Sequence, residues 1–179
     1  MNADVQAIAA VTTVLAVRRE RASDADAIRA VHRAAFDGAD PVEARLVDAL
    51  RADPGWLPHF SLVAVLDDEV RGHVVATRAW VGDVAALGVG PIGVLPAVQG
   101  RGLGSALMYA LLGAAQARDE TLVGLLGEPA YYGRFGFVAA AELGVAPPDP
   151  VWGPYFQVQP LTGRAPAGGF QFAAPFDQI

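Results

Sequence analysis

Val94-Leu95-Pro96-Ala97-Val98-Gln99-Gly100-Arg101-Gly102-Leu103-Gly104-Ser105 is the stretch that decides how this chain is read. An apolar run precedes it and a helix-patterned apolar run follows, so it is a strand-to-helix turn. Gly100, Gly102 and Gly104 fall at alternate positions, where a missing Cβ lets the backbone turn tightly and approach a ligand closely. The first amides of the following helix have no intrahelical acceptor and point outward. The helix dipole adds partial positive charge at the same place. Together these features make an anion cradle suited to phosphate or diphosphate, and Arg101 can add a charge-assisted bond. The competing reading is a glycine-rich turn with no ligand.

Three other signatures fail on spacing. A nucleotide P-loop ends in Gly-Lys-Ser/Thr, and this chain contains no lysine. A dinucleotide fingerprint needs Gly-x-Gly-x-x-Gly, but Ser105 stands at the last position. Ser105 is no nucleophile elbow either, because Leu103 and Leu107 occupy its two glycine positions.

Outward from the turn, Ala85 to Leu95 reads as a strand whose glycines and Pro91 predict a bulged path. Gly102 to Arg118 reads as a helix with Leu103, Ala106, Leu107, Ala110, Leu111 and Ala114 on one face. Upstream, the pattern predicts a strand over Thr12–Val17 and a helix capped by Ser23 or Asp24 that carries Ile28, Val31, Ala35 and Phe36. Pro41 opens a second helix, with Val42, Leu46, Ala49 and Leu50 apolar and Glu43, Arg45 and Asp48 wet. Ser61–Leu66 and Val70–Ala79 read as a hairpin around Asp67-Asp68-Glu69. Downstream come a buried strand over Thr121–Leu126, a short helix over Pro129–Arg134, and strand-like pieces at 156–161 and 170–172. The fold class is mixed α/β (α+β), with helices packed on a largely antiparallel sheet. Residues 1–11 read as a tail and 12–179 as one domain, of which 150–179 follow no firm pattern.

The 179 residues are 53% hydrophobic and 18% charged, the composition of a globular chain. With 13 basic and 19 acidic side chains the net charge is -6. That argues against non-specific nucleic-acid binding and leaves cationic small molecules as partners. The absence of cysteine excludes disulfides, thiolate zinc sites and a cysteine nucleophile, and three histidines without paired spacing point away from a metal. No run is apolar and unbroken enough to span a membrane, and the N-terminus does not read as a signal peptide, so a cytoplasmic location is expected.

Gln99-x-x-Gly102-x-Gly104 resembles the acyl-CoA pyrophosphate signature of the GNAT superfamily of N-acetyltransferases. Ile92-Gly93-Val94-Leu95-Pro96 resembles that superfamily's splayed strand, and Tyr132-Gly133-Arg134-Phe135-Gly136-Phe137 its Tyr-x-x-x-Gly-Phe segment. The Pro129-Ala130-Tyr131-Tyr132-x-Arg134-Phe135-Gly136-Phe137 form around that segment, with Gly72-His73-Val74 upstream, is most similar to the bacterial YhbS-type branch. The resemblance covers about residues 15 to 140 and implies the GNAT fold, with splayed central strands. It also implies acetyl-CoA as cosubstrate, no metal, and an amine acceptor, either a small molecule or a protein amino group. Direct transfer in a ternary complex is the implied reaction. A non-catalytic acyl-CoA-binding or sensing domain on the same fold is the rival. A homodimer is left open.

By the same resemblance, the backbone of Ile92, Gly93 and Val94 holds the pantetheine arm, with the Val94 amide near the thioester carbonyl. Gln99, Gly100, Arg101, Gly102, Leu103, Gly104 and Ser105 wrap the pyrophosphate. Tyr132 sits near the CoA sulfur. An unperturbed phenol titrates near ~10 and a thiol near ~8.5, so full transfer of the phenolic proton is uphill by roughly 2 kcal/mol. Tyr132 is therefore expected to donate a hydrogen bond to the leaving thiolate. Candidates for the general base are Glu128, at the end of the flanking strand, then Glu43, His59 and His73. Glu43 lies on the helix pair that lines the acceptor side in this superfamily. His32 and Tyr131 read as packing, and Arg134 either as a phosphate partner or as a helix cap. Trp152, Tyr155, Phe156, Phe170, Phe172 and Phe176 can wall an acceptor pocket, complete the sheet or form a dimer contact, with packing the default.

Overall fold

The computed structural model describes residues 14–38 and 40–178. The predicted tail and the first two residues of the predicted first strand, Thr12 and Thr13, lie outside the described residues. In chain order the elements are β1 (Leu15–Arg19), α1 (Ala25–Ala35), α2 (Val42–Ala52), β2 (Ser61–Leu66), β3 (Glu69–Val81) and β4 (Val84–Val94). They continue with α3 (Leu103–Gln116), β5 (Leu122–Leu126), α4 (Pro129–Tyr132), β6 (Val138–Ala139), β7 (Val145–Ala146), β8 (Phe156–Pro160) and β9 (Gly168–Gln171). The strands run β1-β2-β3-β4-β5-β8-β6, with β9 joined to both β3 and β7. Pairing is antiparallel except between β4 and β5 and between β7 and β9.

Successive side chains of a strand point to opposite faces, and here both faces are covered. Ala64, Val74 and Leu87 join Leu107, Met108 and Leu111 of α3 in one core. Val63 and Val75, their immediate neighbours in sequence, join Ile28 of α1 and Val47 and Leu50 of α2 in another. This explains why β2 and the middle of β3 are apolar without alternation. A third core, beneath β8 and β9, holds Phe156, Val158 and Phe170. No helix of the described residues is long and apolar enough to cross a membrane.

Two local expectations change. Asp24 occupies the N-cap position of α1 but makes no side-chain cap bond. Its carboxylate is instead held by Arg18 at 2.6 and 3.0 Å and by the Arg21 amide at 2.7 Å, because an ion pair with β1 outweighs a single cap bond. On α2 the buried face is Ala44, Leu46, Val47 and Leu50 rather than one that includes Val42 and Ala49. The helix is rotated so that Val42 and Glu43 face a cavity.

Candidate active site

β4 carries the site because it cannot keep both of its neighbours. Against β5 it is in register only at Leu87↔Val123 and Gly88↔Gly124. Against β3 the register shifts between Val74 and Ala76, opposite Gly90-Pro91, where proline offers no amide to the ladder. The predicted bulge is therefore present. Beyond it the strands part, and Ile92 and Val94 line the opening.

The turn after β4 folds as its glycines require. Gly100 and Gly102 have φ of 73° and 86°, the left-handed region that other residues enter only with strain. Gly102 is the N-cap of α3, whose first bond runs from the Ala106 amide to the Gly102 carbonyl (2.9 Å). The amides of Leu103, Gly104 and Ser105 thus precede the first helical bond and are available to an anion. Gln99 stays exposed, and its Nε2 donates to the Val94 carbonyl at 3.0 Å, pinning the turn to the strand end.

The opposite wall is α4 with the turn that follows it. A cleft of about 630 Å³ lies between the walls. Ile92, Val94, Gln99, Gly100, Gly102 and Leu103 line one side. Gly104 and Ser105 continue that side, and Glu128, Tyr131, Tyr132 and Arg134 close the other. Two expected members stand apart. Arg101 is exposed and outside the lining, and Gly93 faces α1, where a Cβ would begin 3.0 Å from His32 Nδ1. Arg134 Nε donates to the Tyr131 carbonyl (2.9 Å) and its guanidinium sits 4.7 Å from the Tyr131 ring centre, as a cap would, while the side chain also lines the cleft.

Tyr132 is placed by Gly127, where a Cβ would come within 2.2 Å of the phenol ring. Nothing in the sequence patterns singled out Gly127. Burial, with a smaller effect of Tyr131, pushes the Tyr132 phenol up to about 12. It stays protonated at neutral pH and keeps a proton to donate.

A second cavity of about 510 Å³ opens on the other side of β4. Phe36, Val42, Glu43, Leu46, Leu126 and Trp152 contribute to it, as do Phe172 and Phe176. Ile92 and Tyr132 line both cavities, so the two meet at these side chains. Of the C-terminal aromatics, Trp152, Phe172 and Phe176 wall this cavity, Phe156 and Phe170 are core, and Tyr155 is exposed.

The histidines lie elsewhere. His59 is beside Arg19 Nη1 (3.2 Å) in a groove away from the cleft. His32 and His73 are fully buried and linked, Nε2 to Nδ1, at 2.8 Å. The Glu20 carboxylate can only accept, so the Ser61 hydroxyl donates to it. Ser61 Oγ then accepts from His73 Nε2 (2.9 Å), and His73 Nδ1 accepts from His32 Nε2. Burial would raise Glu20, but the nearby His73 Nε2 (3.5 Å) and bonds from Arg51 and Ser61 together bring it to about 2. Burial, then the nearby charges of His73 and Arg51, brings His32 down to about 3. His73, on this account, is a satisfied sheet histidine.

Residues 26–137 match the model of the acetyltransferase (GNAT) family. The chain belongs to the GNAT family. The N-acetyltransferase YhbS of Escherichia coli strain K12 is 36% identical over 129 residues, covering 70% of this chain and 75% of that protein. YjhQ of the same strain, like YhbS named as an uncharacterized N-acetyltransferase, is 33% identical over 134 residues, 72% and 73% of the two chains. Among solved structures, E. coli YhbS in complex with CoA matches with a TM-score of 0.84 and 31% identity over 91% of this chain and 92% of that one. A GNAT acetyltransferase of Brucella melitensis in complex with acetyl-CoA matches with 0.76 and 34% over 92% and 99%. The GNAT fold, with its parted central strands, is the architecture described above. Among the described residues no group of three His, Cys, Asp or Glu is arranged to hold a metal.

Proposed function

We propose that this GNAT protein moves an acetyl group from acetyl-CoA to an amine by direct transfer in a ternary complex. The observation that carries the reading is the meeting of two cavities at Tyr132 and Ile92. One cavity has an anion cradle built of backbone. The other is walled by apolar side chains and one carboxylate. The residues fit the cosubstrate: amides of Leu103, Gly104 and Ser105 for the diphosphate, and the parted edge at Ile92, Gly93 and Val94 for the pantetheine arm. The complexes of E. coli YhbS with CoA and of the Brucella melitensis protein with acetyl-CoA support the choice.

In this reading a neutral amine attacks the acetyl carbonyl. A C–N bond forms, the C–S bond breaks, and the sulfur leaves as a thiolate held by the Tyr132 hydroxyl. Side-by-side binding supplies several kcal/mol by proximity. A backbone amide at Val94 steadies the developing oxyanion. Glu128 abuts the same turn, its carbonyl accepting from the Tyr132 amide (3.1 Å), and its carboxylate is assigned the ammonium proton, directly or through water. A cytoplasmic location accompanies the reading, since acetyl-CoA is a cytoplasmic metabolite.

Thiol release from acetyl-CoA across a panel of amines tests the proposal against the binding-module alternative. Amine-dependent turnover supports transfer. Binding of CoA with no turnover for any amine supports a sensing domain instead.

A further inference from the structure

We propose that the acceptor is a small primary amine with one cationic nitrogen, an aromatic or bulky aliphatic body and no carboxylate. This rests on the acetyltransfer reading and narrows its second substrate. The cavity beyond β4, about 510 Å³, has the size of a small-molecule site. Its walls are mostly apolar, and the aromatic part is fixed. Phe172 and Phe176 lie 4.6 Å apart between ring centres, and Trp152 packs on Phe172 at 6.2 Å. Phe172 is seated on the sheet at Gly88, where a Cβ would come within 2.5 Å of its ring. On the opposite wall, Phe36 stacks on the buried His32 at 5.9 Å. Such walls accept a ring or branched chain of limited size.

Charge decides the rest. Among the described residues Glu43 is the one carboxylate in the lining, and no arginine or histidine joins it. Arg45, two residues on, is held by Asp40 at 2.8 Å and does not reach the lining. An ammonium group therefore finds one partner on the way in, and a second ammonium finds none. A carboxylate meets a like charge and no cation in the lining, which disfavours it. A free amino acid and a polyamine are both disfavoured on these grounds. A peptide N-terminus would bring backbone amides against walls whose polar side-chain groups are those of Glu43, Tyr132 and Trp152. The reacting nitrogen must reach Tyr132 and Ile92, which leaves the remaining wall for the body of the amine.

The experiment is steady-state thiol release by the full chain with acetyl-CoA and four acceptors: 2-phenylethylamine, phenylalanine, spermidine and a peptide with N-terminal phenylalanine. The expected kcat/KM for 2-phenylethylamine exceeds each of the others by about tenfold or more. Glu43→Arg is expected to shift the ratio of phenylalanine to 2-phenylethylamine upward by about tenfold or more, whereas a loss of folded protein would lower both equally. Preference for phenylalanine, spermidine or the peptide would overturn the inference, as would failure to turn over 2-phenylethylamine in a protein that binds CoA by calorimetry. Failure to bind CoA, or CoA binding with turnover of no amine across the wider panel, would overturn the acetyltransfer reading, and this inference with it.

Discussion

A Cβ on Gly104 would begin 2.8 Å from the hydroxyl oxygen of Tyr131. The start of α3 and the α4 turn approach each other there across the cleft, and the approach is possible because position 104 has no side chain. Gly104→Glu is therefore expected to fill the cleft and place a negative charge where the diphosphate is proposed to bind. The expected outcome is a loss of CoA affinity of about a hundredfold or more, roughly 3 kcal/mol, with the fold retained by circular dichroism. Affinity within a few-fold of the parent would remove the cradle from the account.

Tyr132 is expected to act as a donor and not as an acid that parts with its proton completely. From a phenol at about 12 to a thiol near ~8.5, full transfer is uphill by roughly 5 kcal/mol. Tyr132→Phe should lower kcat by about a hundredfold while changing the CoA dissociation constant by less than about threefold. The sign of the pH effect follows. A raised phenol stays protonated until the pH nears 12, so the parent should show no loss of activity from Tyr132 ionisation between pH 7 and about 10. An alkaline limb in that range that vanishes in Tyr132→Phe would contradict this.

Gly127→Ala tests how the phenol is positioned. The new methyl would lie 2.2 Å from the ring, so Tyr132 has to move. A displacement of about 1 Å at the reacting centre is expected to lower kcat by about a hundredfold. Stability, read from urea midpoints, should fall by about 1–3 kcal/mol from overpacking. Unchanged kcat would mean that the position of the ring does not matter.

The buried His32 and His73 make stability depend on acid. Both are held neutral in the folded protein, below the ordinary range, chiefly by burial. Their contribution is complete above the unfolded value of about 6.5 and is lost as the pH falls toward about 3 for His32. Glu20, lowered to about 2, adds a further loss below about pH 4.5. His32→Leu should therefore reduce the dependence of unfolding free energy on pH between 6 and 4.5 by about 1.4 kcal/mol per pH unit. Urea melts at three pH values read this directly, and identical slopes would refute a neutral buried His32.

The geometry of the glycine turn was legible because its cause is local: positive φ at Gly100 and Gly102 and a helix start at Leu103 depend on little beyond the turn. The bulge in β4 was legible for the same reason, since Pro91 cannot join a ladder. The link between His32 and His73 was not, because the partners are 41 residues apart and no spacing rule brings them together. The face of α2 was misjudged for a related reason: Val42 and Glu43 turn toward a cavity that exists only once Phe172 and Phe176, far along the chain, have folded over β4. Among the C-terminal aromatics, composition could not separate wall from core. Phe170 and Phe172 differ by two residues, yet Phe170 sits on Gly124 in the core beneath β8 and Phe172 on Gly88 at the cavity.

The glycine turn and α4 are proposed to form the two sides of a coenzyme A site, and calorimetric titration of the purified chain with CoA tests this. Saturable heat with one CoA per chain is expected, abolished in Gly104→Glu and preserved in Tyr132→Phe. An absence of heat with CoA and with acetyl-CoA alike, from folded protein, would contradict it.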